Sequence, residues 1–245
     1  MHLPAEARQM KRKEQEGTAG KEKKQMSFQI AIDGPAGAGK STIARMVAKE
    51  KGFIYVDTGA MYRAMAYYLL CKGVAMEDED AIGRECAGAR ISIRYEKGEQ
   101  IVLLNGENVN GVIRTEEVSK MSSMSSKHPK VRQRLTQLQK ELAGTSDVVM
   151  DGRDIGTCVL PDADVKIYLT ASVEVRANRR YEEQKQKGIE CDLEQIAEDI
   201  AKRDEQDMNR EIAPLKQAED AIMVDSSYMT IKEVSDKILD LCKDI

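Results

Sequence analysis

The chain has 245 residues, enough for one α/β domain with an insertion or a core with a small satellite. Its 38 basic and 42 acidic side chains leave a net charge of −4, so no general attraction to nucleic acid or to an anionic membrane is expected. Two histidines, His2 and His128, argue against a histidine-based triad or a His-rich zinc site, and no apolar run is long enough for a membrane-spanning helix.

In chain order, residues 1–26 are rich in Lys, Glu, Gln and Gly and read as a disordered tail or leader, with Met26 as a natural start. Interleaved glutamates favour a solvated tail over a nucleic-acid-binding arm. The apolar run Phe28 to Ile32 predicts a buried strand. Next comes Gly34-Pro35-Ala36-Gly37-Ala38-Gly39-Lys40-Ser41, then Thr42, and Ile43, Met46 and Val47 at helical spacing with Gly52 as the stop. Further buried parallel strands are predicted at Phe53–Val56, Val148–Met150, Val165–Leu169 and Ala221–Val224, with helices between them on both faces.

One segment departs from this alternation. Ala89–Tyr95 and Gln100–Leu104 flank a short turn, and Asn105-Gly106 offers a second, which predicts a small antiparallel meander. Helices capped by Thr115 and opened by Pro129 follow, the second ending at Gly144. Thr230 and Glu233 form a capping box for a last helix. Five cysteines without a C-x-x-C pair suggest reduced thiols and a cytoplasmic location.

Strand, glycine-rich loop and helix together form an arrangement that wraps a polyphosphate. The loop amides and helix N-terminus attract anions, Lys40 reaches the β/γ-phosphates, and the Ser41 hydroxyl can ligate Mg²⁺. Asp57 and Asp151 close predicted strands at the sheet edge where ligands of such folds bind, and both are candidate supports for a metal-bound water. Arginines supply the second half of the site. Arg63 follows Asp57, Arg153 follows Asp151, Arg176, Arg179 and Arg180 cluster on one helix, and Arg203 and Arg210 are expected on one face of another. Guanidinium forks suit phosphate, and several of them could hold donor and acceptor while a phosphoryl group moves between them.

With Asp57 to Arg63, Ile113 to Val118, Pro129 to Arg132, Asp151 to Thr157, Pro161 to Ile167 and Arg203 to Leu215 added to the loop motif, the chain resembles the bacterial-type cytidylate kinases, members of the nucleoside monophosphate kinases. The resemblance implies a P-loop kinase fold with a small β insertion in the acceptor region and a short helical lid. It implies a core of 27–57, 146–175 and 212–245, an acceptor-binding insertion over 58–145 and a lid near 176–190. The implied reaction transfers a phosphoryl group from ATP to CMP or dCMP with Mg²⁺. It places Lys40, Arg63, Arg153 and Asp151 at the chemistry. Residues Gly34 to Thr42 with Arg176, Arg179 and Arg180 are placed on ATP. Arg63 and Arg153 are placed on the acceptor phosphate, Thr58, Arg132, Asp154 and Arg210 around the base, and Ser123, Arg203 and Asp207 on the sugar. A monomer is expected. The rival readings are another small-molecule kinase of the same fold and a nucleotide-dependent switch.

Overall fold

The computed structural model describes residues 27–243. The predicted tail over 1–26 lies outside the described residues. Strand β1 (Gln29–Asp33) leads through the glycine-rich loop into α1 (Lys40–Lys51), and β2 (Ile54–Asp57) runs directly into α2 (Thr58–Cys71). A short helix, α3 (Glu79–Glu85), precedes the meander of β3 (Ile91–Glu96), β4 (Glu99–Leu104) and β5 (Glu107–Asn108). Helices α4 (Glu116–Ser125) and α5 (Pro129–Ala143) return the chain to β6 (Val148–Gly152) and β7 (Val165–Thr170). A helical hairpin of α6 (Val173–Gln186) and α7 (Leu193–Asn209) follows, then β8 (Ile222–Asp225) and α8 (Ile231–Leu241).

The five long-range strands pair in parallel in the order β2-β6-β1-β7-β8. Alternation along each strand feeds two cores. Ile30, Ile32, Val149 and Ile167 pack with Ile43 and Val47 of α1 and Val234 and Ile238 of α8. Ala31, Val56 and Met150 pack on the other face with Met61, Met65 and Leu69 of α2 and Leu135 of α5. Strands β1, β2, β6 and β7 are buried on both faces, so they read as continuous apolar runs rather than alternating ones, whereas the edge strand β8 buries only Val224. Each observed strand lies within a residue or two of its predicted bounds.

Register decides what meets at the carboxyl edge. Asp57 of β2 lies opposite Asp151 of β6, and Asp33 of β1 lies opposite Gly152. Three acidic side chains therefore line one end of the sheet, which is the edge predicted to bind ligand.

The predicted turn chemistry is present. Lys97 and Gly98, and then Asn105 and Gly106, all have positive φ, as two-residue hairpin loops require. Thr115 caps α4 by accepting the Val118 N–H, and Pro129 opens α5. Thr230 and Glu233 form the full capping box of α8. The meander does more than cover. Gln100 accepts the Asp57 N–H at 2.8 Å, and the Tyr95 hydroxyl donates to the Tyr55 carbonyl at 3.1 Å, so it is pinned to β2.

One expectation is corrected. Arg210 does not share a helix face with Arg203: α7 ends at Asn209, and Arg210 stands just beyond it in extended backbone. Pro214 follows closely and cannot continue a helix, and the Arg210 Nε donates to the Ala213 carbonyl at 2.6 Å. The predicted lid near 176–190 corresponds to the first arm and turn of a longer hairpin. Its two helices meet through Ala177, Ile196 and Ile200 in a small apolar cluster of their own.

Candidate active site

The glycine-rich loop is held by close backbone packing. A Cβ on Gly34 would lie 1.9 Å from the Leu169 carbonyl oxygen, so no larger residue fits there. Gly39 leads into α1, which has neither a side-chain cap nor an acidic residue in its first turn. Its N-terminal amides and dipole are therefore left for an anion to satisfy. Lys40 is buried, and its Nζ donates to the Pro35 carbonyl at 2.7 Å. Burial, and then the nearby Arg153 charge, pull the Lys40 ammonium down to about 7. A second anion beside it would restore the charged form.

Asp151 organises the adjoining oxygens. Its two carboxylate oxygens accept from the Ser41 hydroxyl and the Tyr55 hydroxyl, each at 2.9 Å, and its carbonyl accepts from Thr58 Oγ1 at 2.7 Å. Burial, followed by the Asp57 charge, pushes its carboxyl up to about 6. Asp57 has different work. It caps α2 through the Ala60 N–H, holds Arg63 Nη2 at 3.2 Å and holds Arg114 Nη2 at 3.4 Å. Of the two candidate metal supports, Asp151 is therefore the one joined to Ser41.

Carboxylates also hold the arginines that follow β6 and those that close in from α5 and the end of α7. Arg153 Nε donates to Asp207 Oδ2 at 3.0 Å. Asp154 takes Arg132 Nη2 on one oxygen and Arg210 Nη2 at 3.3 Å on the other. Arg132 also lies over the Tyr62 ring, 5.7 Å from its centroid. Burial opposes ionisation of Asp207, but Arg153, Arg203 and Arg210 together hold its carboxyl below the usual range. Arg203 is less well matched. Its Nε is buried without a hydrogen-bond partner, and burial, then Arg153, then Arg180 and Arg63 around Asp207, bring its guanidinium down to about 10. Arg63 Nε is likewise buried and unpartnered.

Lys40, Arg63, Arg153, Arg180 and Arg203 thus crowd one mouth of the sheet, each within electrostatic reach of another. Three other predicted residues make contacts of their own. Arg176 is buried and spent on protein acceptors, and Arg179 donates to the Ser226 carbonyl at 2.8 Å. Ser123 is half-buried on α4, where its carbonyl accepts from Ser126.

Sequence reasoning missed Tyr55, Arg114 and Asp33. Arg114 lies inside a quoted motif, and Asp33 directly precedes Gly34, so position alone could have flagged both. Asp33 is 5% exposed and accepts the Ile155 and Gly156 N–H groups at 2.8 and 2.7 Å. It thereby ties the start of the glycine-rich loop to the chain leaving Arg153 and Asp154. Burial outweighs those two bonds and raises its carboxyl to about 6. The folded-state value lies above the unfolded one, so the fold favours the protonated form. Stability from this group is present at low pH and lost as pH rises through about 6. Asp33→Asn cannot titrate. Denaturant melts of both proteins should show wild type gaining roughly 1–3 kcal/mol on the variant as pH falls from about 7 to about 4. A constant difference across that range would contradict this.

A polyphosphate-wrapping loop closing on a buried lysine, faced by a second rim of arginines on the same sheet edge, defines a P-loop phosphotransferase. The chain belongs to the cytidylate kinase family, whose sequence model matches residues 30–244. It is 50% identical to a cytidylate kinase of Shouchella clausii over 217 residues, covering 89% of this chain and 96% of that relative. It is 49% identical to a cytidylate kinase of Bacillus subtilis, covering 86% of this chain and 94% of that one. Among solved structures, an uncharacterised protein from Eubacterium ventriosum shares the fold at a TM-score of 0.50 and 11% identity, covering 89% of this chain and all (100%) of that one.

Proposed function

We infer that the chain transfers the γ-phosphoryl group of ATP to CMP or dCMP, giving ADP and CDP or dCDP. The observation that carries this reading is the crowding of Lys40, Arg63, Arg153, Arg180 and Arg203 at one sheet edge, with buried guanidinium nitrogens of Arg63 and Arg203 unpartnered. Buried guanidinium N–H groups left without an acceptor suit a ligand rich in phosphate oxygens.

In this reading the loop from Gly34 to Thr42, through the N–H groups that Pro35 alone lacks, and the Lys40 Nζ hold the β- and γ-phosphates. Arg180 approaches the same phosphates from the hairpin, and Arg179 steadies the nearby Ser226 backbone. Arg63 and Arg153 bring the acceptor phosphate into line, and its own negative charge removes the need for a general base. Ser41 with Asp151 behind it offers the hard oxygen donors that Mg²⁺ prefers, and those residues fit the ion. When bound, Mg²⁺ neutralises charge on the transferring phosphates. Closure of the α6–α7 hairpin excludes water, so ATP is not simply hydrolysed. The sugar faces Ser123, Arg203 and Asp207. We take the chain to act as a cytoplasmic monomer; among the described residues no helix is long and apolar enough to cross a membrane.

Base selectivity follows from Asp154, which sits between Arg132 and Arg210, with Thr58 as a further polar group facing the base. A carboxylate accepts the exocyclic amine of cytosine, and the guanidinium groups donate to its ring acceptors. Uracil presents an acceptor where cytosine has that amine. An ADP-release assay offering CMP, dCMP, UMP and AMP in parallel should give fast turnover with the cytosine nucleotides alone. Equal turnover with UMP or AMP would refute the assignment. Asp154→Asn should raise the KM for CMP and shrink the CMP-over-UMP preference about tenfold, because the amide can present either face.

A further inference from the structure

We propose that Asp204 is a positioning residue for the donor phosphate loop, acting through Arg176; this rests on the kinase reading above. Arg176 looks from sequence like a group for ATP, but its guanidinium is turned inward. Nε donates to the Ala171 carbonyl at 2.8 Å, Nη1 to the Ala36 carbonyl at 3.0 Å, and Nη2 to Asp204 Oδ2 at 2.6 Å. The side chain therefore bridges the end of β7, the glycine-rich loop and α7.

Two details make this a loop-aiming device. A peptide carbonyl and the following N–H point in opposite directions across a planar trans bond. Fixing the Ala36 carbonyl on Arg176 therefore turns the Gly37 N–H away from Arg176. The Arg176 stem also supports the same peptide from below: a Cβ on Gly37 would sit 3.4 Å from Arg176 Cβ. One buried arginine thus sets both the height and the rotation of the loop apex, where amides must converge on phosphate.

The guanidinium holds this pose only while its charge is matched. Asp204 is its carboxylate partner, 7% exposed, and its second oxygen is buried without a partner. Pairing with Arg176 is thus the polar role the structure gives Asp204. One helical turn later on α7, Asp207 holds Arg153 of the acceptor side. Adjacent turns of one helix therefore serve the two substrates separately, Asp204 the donor and Asp207 the acceptor.

Steady-state kinetics against each substrate distinguish this from a structural role. Asp204→Ala should raise the KM for ATP about tenfold and leave the KM for CMP within about twofold. The isosteric Asp204→Asn should show a smaller rise of the same donor-selective kind. Arg176→Lys should reproduce the pattern, and Asp204→Ala added to it should cost nothing further, since Asp204 acts through Arg176. Thermal melting establishes that each variant is folded; if the alanine variant is not, the folded asparagine variant carries the test. An unchanged KM for ATP in a folded variant, an equal rise in both KM values, or additivity in the double variant would overturn the proposal. Calorimetry with ADP reads the same loop without turnover. A wild type that binds ADP more tightly than its Asp204 variants but does not turn over CMP would sink the kinase reading and leave this inference standing.

Discussion

Lys40→Ala is expected to lower kcat for CMP phosphorylation by roughly 10²–10³-fold, the loss typical of one preorganised donor to developing charge. The side chain is buried beside the loop it serves and already donates to the Pro35 carbonyl, so its position is set before ATP arrives. In the proposed mechanism its charge is what stabilises the transferring phosphates. Burial and Arg153 draw its ammonium down to about 7, whereas bound phosphates would raise it again, so ATP binding should take up a proton near pH 8. The alanine variant should abolish that uptake, measured by calorimetry in buffers of different ionisation enthalpy. Removing a buried charge that the fold disfavours should leave thermal stability unchanged or raised. A variant retaining most turnover, or one that failed to fold, would contradict this account.

Arg153→Ala should show the opposite selectivity. Its Nε is held by Asp207, its guanidinium also reaches the Gly152 carbonyl, and it lies close enough to Lys40 to perturb it. It therefore stands between the two half-sites. Truncation should raise the KM for CMP at least tenfold and reduce kcat about 10²-fold, while ATP affinity changes little or improves through loss of the like charge. Part of the damage comes from Asp207, which loses its closest cation but keeps Arg203 and Arg210 nearby. Substitution by lysine should restore little, because a point charge cannot bind Asp207 and a phosphate at once. Unaltered CMP kinetics would remove Arg153 from the acceptor site.

The architecture was largely legible from residue patterns. Buried parallel strands, the Gly52 stop, the Thr115 and Thr230 caps and both meander turns each leave local signatures, and each is present. Arg63, Arg153 and Lys40 could be placed because strand ends of a parallel sheet fall on a common edge. What sequence could not reveal was the direction a long side chain takes. Arg176 and Arg180 are one helical turn apart, yet the first turns inward to Ala36 and Asp204 while the second stays exposed near Arg203. Nothing in local spacing separates them, because the difference depends on α7, a separate helix. Asp33 escaped for a similar reason: its partners, Ile155 and Gly156, lie more than a hundred residues away in sequence.

Asp57 closes a strand, starts a helix, and holds two guanidinium groups, while its own backbone is clasped by Gln100. Such concentration leaves this carboxylate little freedom to drift. Any replacement would loosen the α2 entrance and the grip on Arg63 together, so selection could not adjust substrate affinity there without also disturbing foldability. Adaptation would instead fall to peripheral members of the group. Arg114, its side chain 64% exposed, can be exchanged at small structural cost.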